Sequence, residues 1–220
     1  MATLRTVTFQ PDSGGKDTYI NSSNQTLNSG NLTNLVMGNL FAISNFRFRT
    51  LLDFNLASLP GDSTLISCLL YLTIQSSSGI DGSQVFQLKR LTRNWTELGA
   101  TWLTYDGTNP WTTPGGDYSN SIVSSFTPAN SMDDPVFDVE PLVADAITNR
   151  AGMLRLLGFG PENTGANNFL NFSSAHFSSA DRPRLVIEFT SAYLDSLVMC
   201  LDADDLPVTN LVIGDTGCAA

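Results

Sequence analysis

Phe46, Phe48, Thr50, Leu52, Phe54 and Leu56 recur at every second position, with Arg47, Arg49, Leu51, Asp53 and Asn55 between them. A period of two places the two sets on opposite faces of one strand, the first of them against a core. Pro60-Gly61-Asp62 then turns the chain. Residues 64–75 are almost continuously apolar, which predicts one strand covered on both faces. Residues 76–83 read as a polar loop before a strand over 84–91. Shorter patterned runs predict strands at 4–9, 35–37, 121–126, 134–139, 153–159, 169–173 and 184–189. The period changes after Glu140-Pro141, where Leu142, Val143, Ala146 and Ile147 share one helical face. Pro141 suits a first helical position and Gly152 a stop. About ten strands, one short helix and evenly spaced turns predict an all-β fold, an antiparallel sandwich.

Residues 90–118 stand apart from this pattern. They hold all three tryptophans, Trp95, Trp102 and Trp111, and two of the five tyrosines, Tyr105 and Tyr118. Such a cluster either fastens a long connection or makes a stacking surface. Trp95 and Trp102 read as fasteners, each burying a large area with its N–H bonded to backbone. Trp111, between Asn109-Pro110 and Thr112-Thr113-Pro114, reads as exposed in a turn-rich loop. With Tyr118 and Tyr105 beside it, it is the candidate platform for a sugar ring, whose C–H face packs on an aromatic one.

Composition narrows the partners. Charged residues are 15% of the chain, against roughly 25% in an average globular protein. Ser, Thr, Asn and Gly take their place. The net charge is -10 and no basic stripe is present, so neither nucleic acid nor an anionic membrane is an expected partner. No apolar run approaches transmembrane length. The N-terminus has no h-region, so the expectation is synthesis in a cytoplasm without signal-peptide export. Cys68, Cys200 and Cys218 are too few and too far apart for a disulfide framework or a C-x-x-C metal site, and Cys68 reads as a buried small hydrophobe.

Candidate chemistry is sparse. His176 is the only histidine, which argues against a His-rich metal cluster. No G-x-S-x-G elbow, Walker sequence or G-x-G-x-x-G is present, so no enzyme and no nucleotide cofactor is expected. Asp17, Asp106 and Asp117, with Asp12, are loop carboxylates that could gather round a structural calcium ion, the one cofactor considered. The competing reading of each is turn capping.

From residue 191 the character changes. Residues 191–220 carry five acids and no Lys or Arg, with apolar groups that include Leu194, Leu197, Leu201, Leu211 and Ile213. These read as an assembly surface that docks on the chain's own sheet or on a neighbouring copy, the neighbour being preferred. The expected organisation is a sandwich over 1–190 and an extension over 191–220.

Several short pieces now line up: Asp17-Thr-Tyr-Ile20, Arg49-Thr-Leu-Leu-Asp-Phe-Asn-Leu56, Arg90-Leu-Thr-Arg-Asn-Trp95-Thr-Glu97 and Gly99-Ala-Thr-Trp102. Pro114-Gly-Gly-Asp-Tyr118, Phe137-Asp-Val139 and Arg182-Pro-Arg-Leu185 follow. In this order, over about residues 4 to 190, the chain resembles the DNRLRE-domain family, also known as family 96 of carbohydrate-binding modules. The resemblance implies a jelly-roll-like sandwich of non-catalytic character, found in secreted or cell-surface proteins and in phage virions. The expectation is therefore a structural virion protein, a capsid decoration, tail or fibre component. It would meet other virion proteins and copies of itself, and adhere to surface glycans. The alternative is a stand-alone polysaccharide-binding module of a secreted or cell-surface protein, with an extracellular location.

Overall fold

In a computed structural model the described residues are 3–10, 16–41, 46–162 and 165–192. Asp12, Cys200, Cys218 and the assembly residues Leu194, Leu197, Leu201, Leu211 and Ile213 lie outside them. The strands are β1 (Arg5–Phe9), β2 (Asp17–Asn21), β3 (Asn34–Leu40), β4 (Phe46–Asn55), β5 (Thr64–Tyr71) and β6 (Ile74–Ser78), then β7 (Phe86–Leu91), β8 (Tyr118–Phe126) and β9 (Val136–Asp138). Helix α1 (Glu140–Asn149) precedes β10 (Met153–Phe159), β11 (Asn168–Ser173) and β12 (Arg184–Thr190).

Two antiparallel sheets form the all-β sandwich. The smaller runs β1-β12-β5-β9, and the larger runs β6-β11-β3-β4-β10-β7-β8 with β2 also paired to β4. Leu52, Phe54, Leu156 and Leu170 from the larger sheet meet Cys68, Leu70, Leu185 and Ile187 from the smaller one in the main core. The period-two reading of β4 holds: Leu52, Phe54 and Leu56 enter this core, while Leu51 faces the other way into a second apolar cluster. That second cluster lies on the outer face of the larger sheet, where the tryptophan-bearing segment covers it.

Two predictions over residues 64–83 are corrected. Residues 64–75 are not a single strand buried on both faces. β5 ends at Tyr71 in the smaller sheet, and β6 begins at Ile74 in the larger one, paired with β11. The apolar run persists because Leu70, Leu72 and Ile74 all face the common core as the chain crosses between sheets. On β5 itself burial alternates, and Ile66 is exposed. Ser76, Ser77 and Ser78, read as loop, are edge strand; polar side chains suit an unprotected sheet edge.

The predicted helix forms with Leu142, Val143 and Ala146 buried. Gly152, at φ 76°, ends it by donating its N–H to the Ala146 carbonyl. Asp145 on α1 accepts from Arg150 at 2.8 Å and lies 3.8 Å from Arg90 of β7, tying the helix to the larger sheet.

Candidate functional site

Between β7 and β8 the chain leaves the larger sheet and folds back over its outer face. All three indoles are covered: Trp95 is 1%, Trp102 2% and Trp111 3% exposed. Trp95 Nε1 donates to Asp53 Oδ1 of β4 at 2.8 Å, and Lys16 Nζ lies 4.5 Å from its ring. Trp102 is flanked by the guanidinium groups of Arg47 and Arg49 at 4.9 and 5.0 Å. Trp111 Nε1 donates to the Thr101 carbonyl at 2.9 Å, inside the crossover itself. The crossover packs at close quarters. A Cβ on Gly115, at φ +97°, would sit 2.8 Å from the Trp102 ring. Arg49 clamps the same turn, donating to the Gly115 carbonyl and, through two nitrogens, to Glu162.

The expectation of an exposed Trp111 is thus corrected. Its turn-rich flanks do signal a loop, but Tyr105 packs edge-on against it at 5.7 Å and its N–H is taken up internally. No face of the ring is left for a ligand. Tyr105 is itself half-buried, with Arg93 stacked 5.6 Å from it.

Tyr118 differs. It is 36% exposed, held edge-on against Phe159 at 4.7 Å, with Lys89 Nζ 5.1 Å from its ring. Burial and the nearby Arg49 lower the Lys89 pKa. Tyr118 borders an open groove of about 590 Å³ lined also by Thr92, Arg93, Thr112, Asp117 and Asn120. Arg93 Nε donates to Asp117 Oδ2 at 3.0 Å, and its terminal nitrogen donates to Thr112 Oγ1 at 3.1 Å. A second depression, about 670 Å³, is lined by residues including Ile80, Asp81, Gln84, Pro161 and Asn167, and has no aromatic lining.

The three aspartates expected around calcium do not converge. Asp106 accepts from the N–H groups of Thr108 and Asn109 and from the Asn109 amide. Those bonds hold its carboxyl below the usual range, the Asn109 side chain foremost. Partial burial pushes Asp117 up, but the Thr112 and Thr113 N–H groups and Arg93 outweigh it and hold the carboxyl low. Both are turn caps. Asp17 has other company: Glu97 and His176. Among the described residues these three are the one His/Cys/Asp/Glu set whose ligand atoms lie within 4.8 Å of one another. Desolvation dominates at Asp17 and raises its pKa to about 7, with the Ala175 N–H opposing and Glu97 adding to the rise. A buried acid beside a second carboxylate can in principle serve glycoside hydrolysis. Asp17, however, is 1% exposed, which closes it to a sugar chain.

A family model, carbohydrate-binding module family 96, matches residues 6–189. The chain belongs to that family. No curated protein matches it. The family-96 match spans every described strand except the first residue of β1 and the last of β12.

Within this family-96 domain the sequence reading missed Asp53, Arg93, Glu97 and His176. Asp53 carried a signal: it is the one acid on the outer face of β4, opposite the tryptophan segment that covers that face. Glu97 follows Trp95 closely, but nothing local told which carboxylate it would meet. His176 lies in the connection after β11, and only the fold brings it to Asp17.

Proposed function

We propose that this family-96 domain is a non-catalytic adhesive module that binds a polysaccharide in the groove beside Tyr118. The observation that carries the reading is the exposed Tyr118 ring, packed edge-on against Phe159 at the rim of a groove lined by Arg93, Asp117 and Asn120. A sugar ring needs an apolar face to pack on and planar polar groups for its hydroxyls, and this groove has both. A general acid needs a carboxyl with a raised pKa. Asp117, the acid of the groove, is held low and already accepts from Arg93, Thr112 and Thr113, which supports a binding role without bond cleavage.

The finer setting we propose is a bacteriophage particle, with the module on a capsid, tail or fibre. Its support is sequence alone: the low charge and the acidic, apolar residues 191–220 suited to meet a neighbouring subunit. Mass spectrometry of purified particles tests it, and absence of the chain from them returns the module to a secreted or cell-surface protein.

Affinity electrophoresis through gels containing a panel of neutral and acidic polysaccharides tests the binding reading. At least one polysaccharide should retard the protein. Tyr118→Ala should weaken that binding about tenfold, the ~1.4 kcal/mol expected of one stacked ring. Retardation unchanged by Tyr118→Ala, or by every polysaccharide alike, contradicts it.

A further inference from the structure

Three segments far apart in sequence meet where Asp17 opens β2. Glu97 arrives from the tryptophan crossover and His176 from the connection between β11 and β12. Each offers one ligand atom, two carboxylate oxygens and one imidazole nitrogen. Among the described residues few hydrogen bonds reach these atoms, although Glu97 Oε1 takes the Asp17 N–H. Asp17 is 1% exposed, and among the described residues its carboxylate accepts one hydrogen bond, from the Ala175 N–H to Oδ2. A buried carboxylate has about four lone-pair sites to satisfy, and here a second carboxylate stands beside it. His176 Nε2 is covered from solvent, finds no hydrogen-bond partner among the described residues and lies 3.5 Å from Glu97 Oε1.

The segments that carry the three groups are also tied down. Asp17 N–H donates to Glu97 Oε1 at 2.9 Å. Asn28 Nδ2 donates to the carbonyls of Glu97 and Ala100 at 2.7 and 2.8 Å. Gly30 packs so closely that a Cβ there would sit 2.4 Å from the Glu97 carbonyl oxygen. On the third segment, the His176 N–H donates to Ser174 Oγ. These bonds fix the main chain on which the Glu97 and His176 side chains stand.

We propose that Asp17, Glu97 and His176 bind a divalent first-row cation of the zinc type, which ties the crossover and the β11–β12 connection to β2. Two carboxylate oxygens and one imidazole form a borderline donor set that suits such an ion. Calcium, which takes six to eight oxygens, is poorly served by a site with a nitrogen donor. Arg182 is among the charges felt at Asp17, and the ion must outcompete it. This proposal does not depend on the glycan reading, and its readouts do not involve sugar.

Protein stripped with EDTA and dialysed is titrated calorimetrically with zinc chloride, and separately with calcium chloride. One zinc per chain should bind, with a rise in Tm. His176→Ala and Glu97→Gln should each weaken zinc at least ~10-fold while their circular dichroism stays native. Cobalt(II) is a second readout, because nitrogen-and-oxygen ligation gives visible absorption that His176→Ala should abolish. It can be read on the intact chain if a variant misfolds. No stoichiometric zinc binding, zinc binding indifferent to His176→Ala, or calcium binding in preference to zinc would each overturn the proposal.

Discussion

Trp111 and Tyr118 flank the same Pro-Gly-Gly turn and have opposite fates. One is enclosed with its N–H bonded to Thr101; the other shows more than a third of its surface to solvent. Trp111→Ala should therefore cost about 3–5 kcal/mol in chemical denaturation, as deleting a buried indole does. Tyr118→Ala should unfold near the wild-type midpoint and weaken only polysaccharide binding. Asp17 makes a second prediction, for the cation-free chain. Its pKa is about 7 folded against 3.8 as the ordinary value, so the folded state holds the extra proton between those values. Stability should fall as pH rises from about 4 to 7, by up to a few kcal/mol, and Asp17→Asn should flatten that slope. Asp53, also pushed up by burial, adds to the same arm. Asp106, Asp117 and Asp145 are held low, so their contribution is present above the ordinary Asp range and lost as pH falls through their folded values. Thermal melts across pH in EDTA should thus peak on the acid side of neutrality.

The crossover between β7 and β8 is an element in its own right, with a backbone network of its own. Thr96 N–H donates to the Tyr105 carbonyl, Thr101 N–H to Thr104, and Trp111 N–H to Leu103. One anchor in the sheet is the Trp95–Asp53 bond, which shares Asp53 with Lys16 at 3.0 Å and Arg155 at 3.5 Å. Trp95→Phe keeps the apolar bulk and deletes the N–H. It should cost about 1–3 kcal/mol by equilibrium unfolding, because a buried carboxylate loses a donor. What the sequence showed of these elements follows from where the pattern is local. The two faces of β4 were legible because period two is set residue by residue. The break between β5 and β6 was not, since apolar residues line the core on both sides of the crossing. Trp95 and Trp102 were readable as fasteners, although Trp95 bonds a side chain, Asp53, where backbone was expected. Trp111 misled because Asn109-Pro110 and Thr112-Thr113-Pro114 describe a turn and say nothing of what packs over it.

At the scale of the whole molecule, one sheet is used on both faces. Its inner face builds the sandwich with the smaller sheet, and its outer face carries a second core sealed by three indoles. The sandwich could be foreseen from strand spacing and from the ordered family pieces. The meeting of Asp17, Glu97 and His176 could not, because three separate connections have to close before those atoms share one place. The central claim is that the tryptophans fasten the crossover and leave ligand contact to Tyr118. Acrylamide quenching of the intrinsic tryptophan fluorescence tests it most directly. The account predicts a blue-shifted emission and a quenching constant several-fold below that of free tryptophan, unchanged when a bound polysaccharide is added. Ready quenching that a polysaccharide suppresses would contradict it.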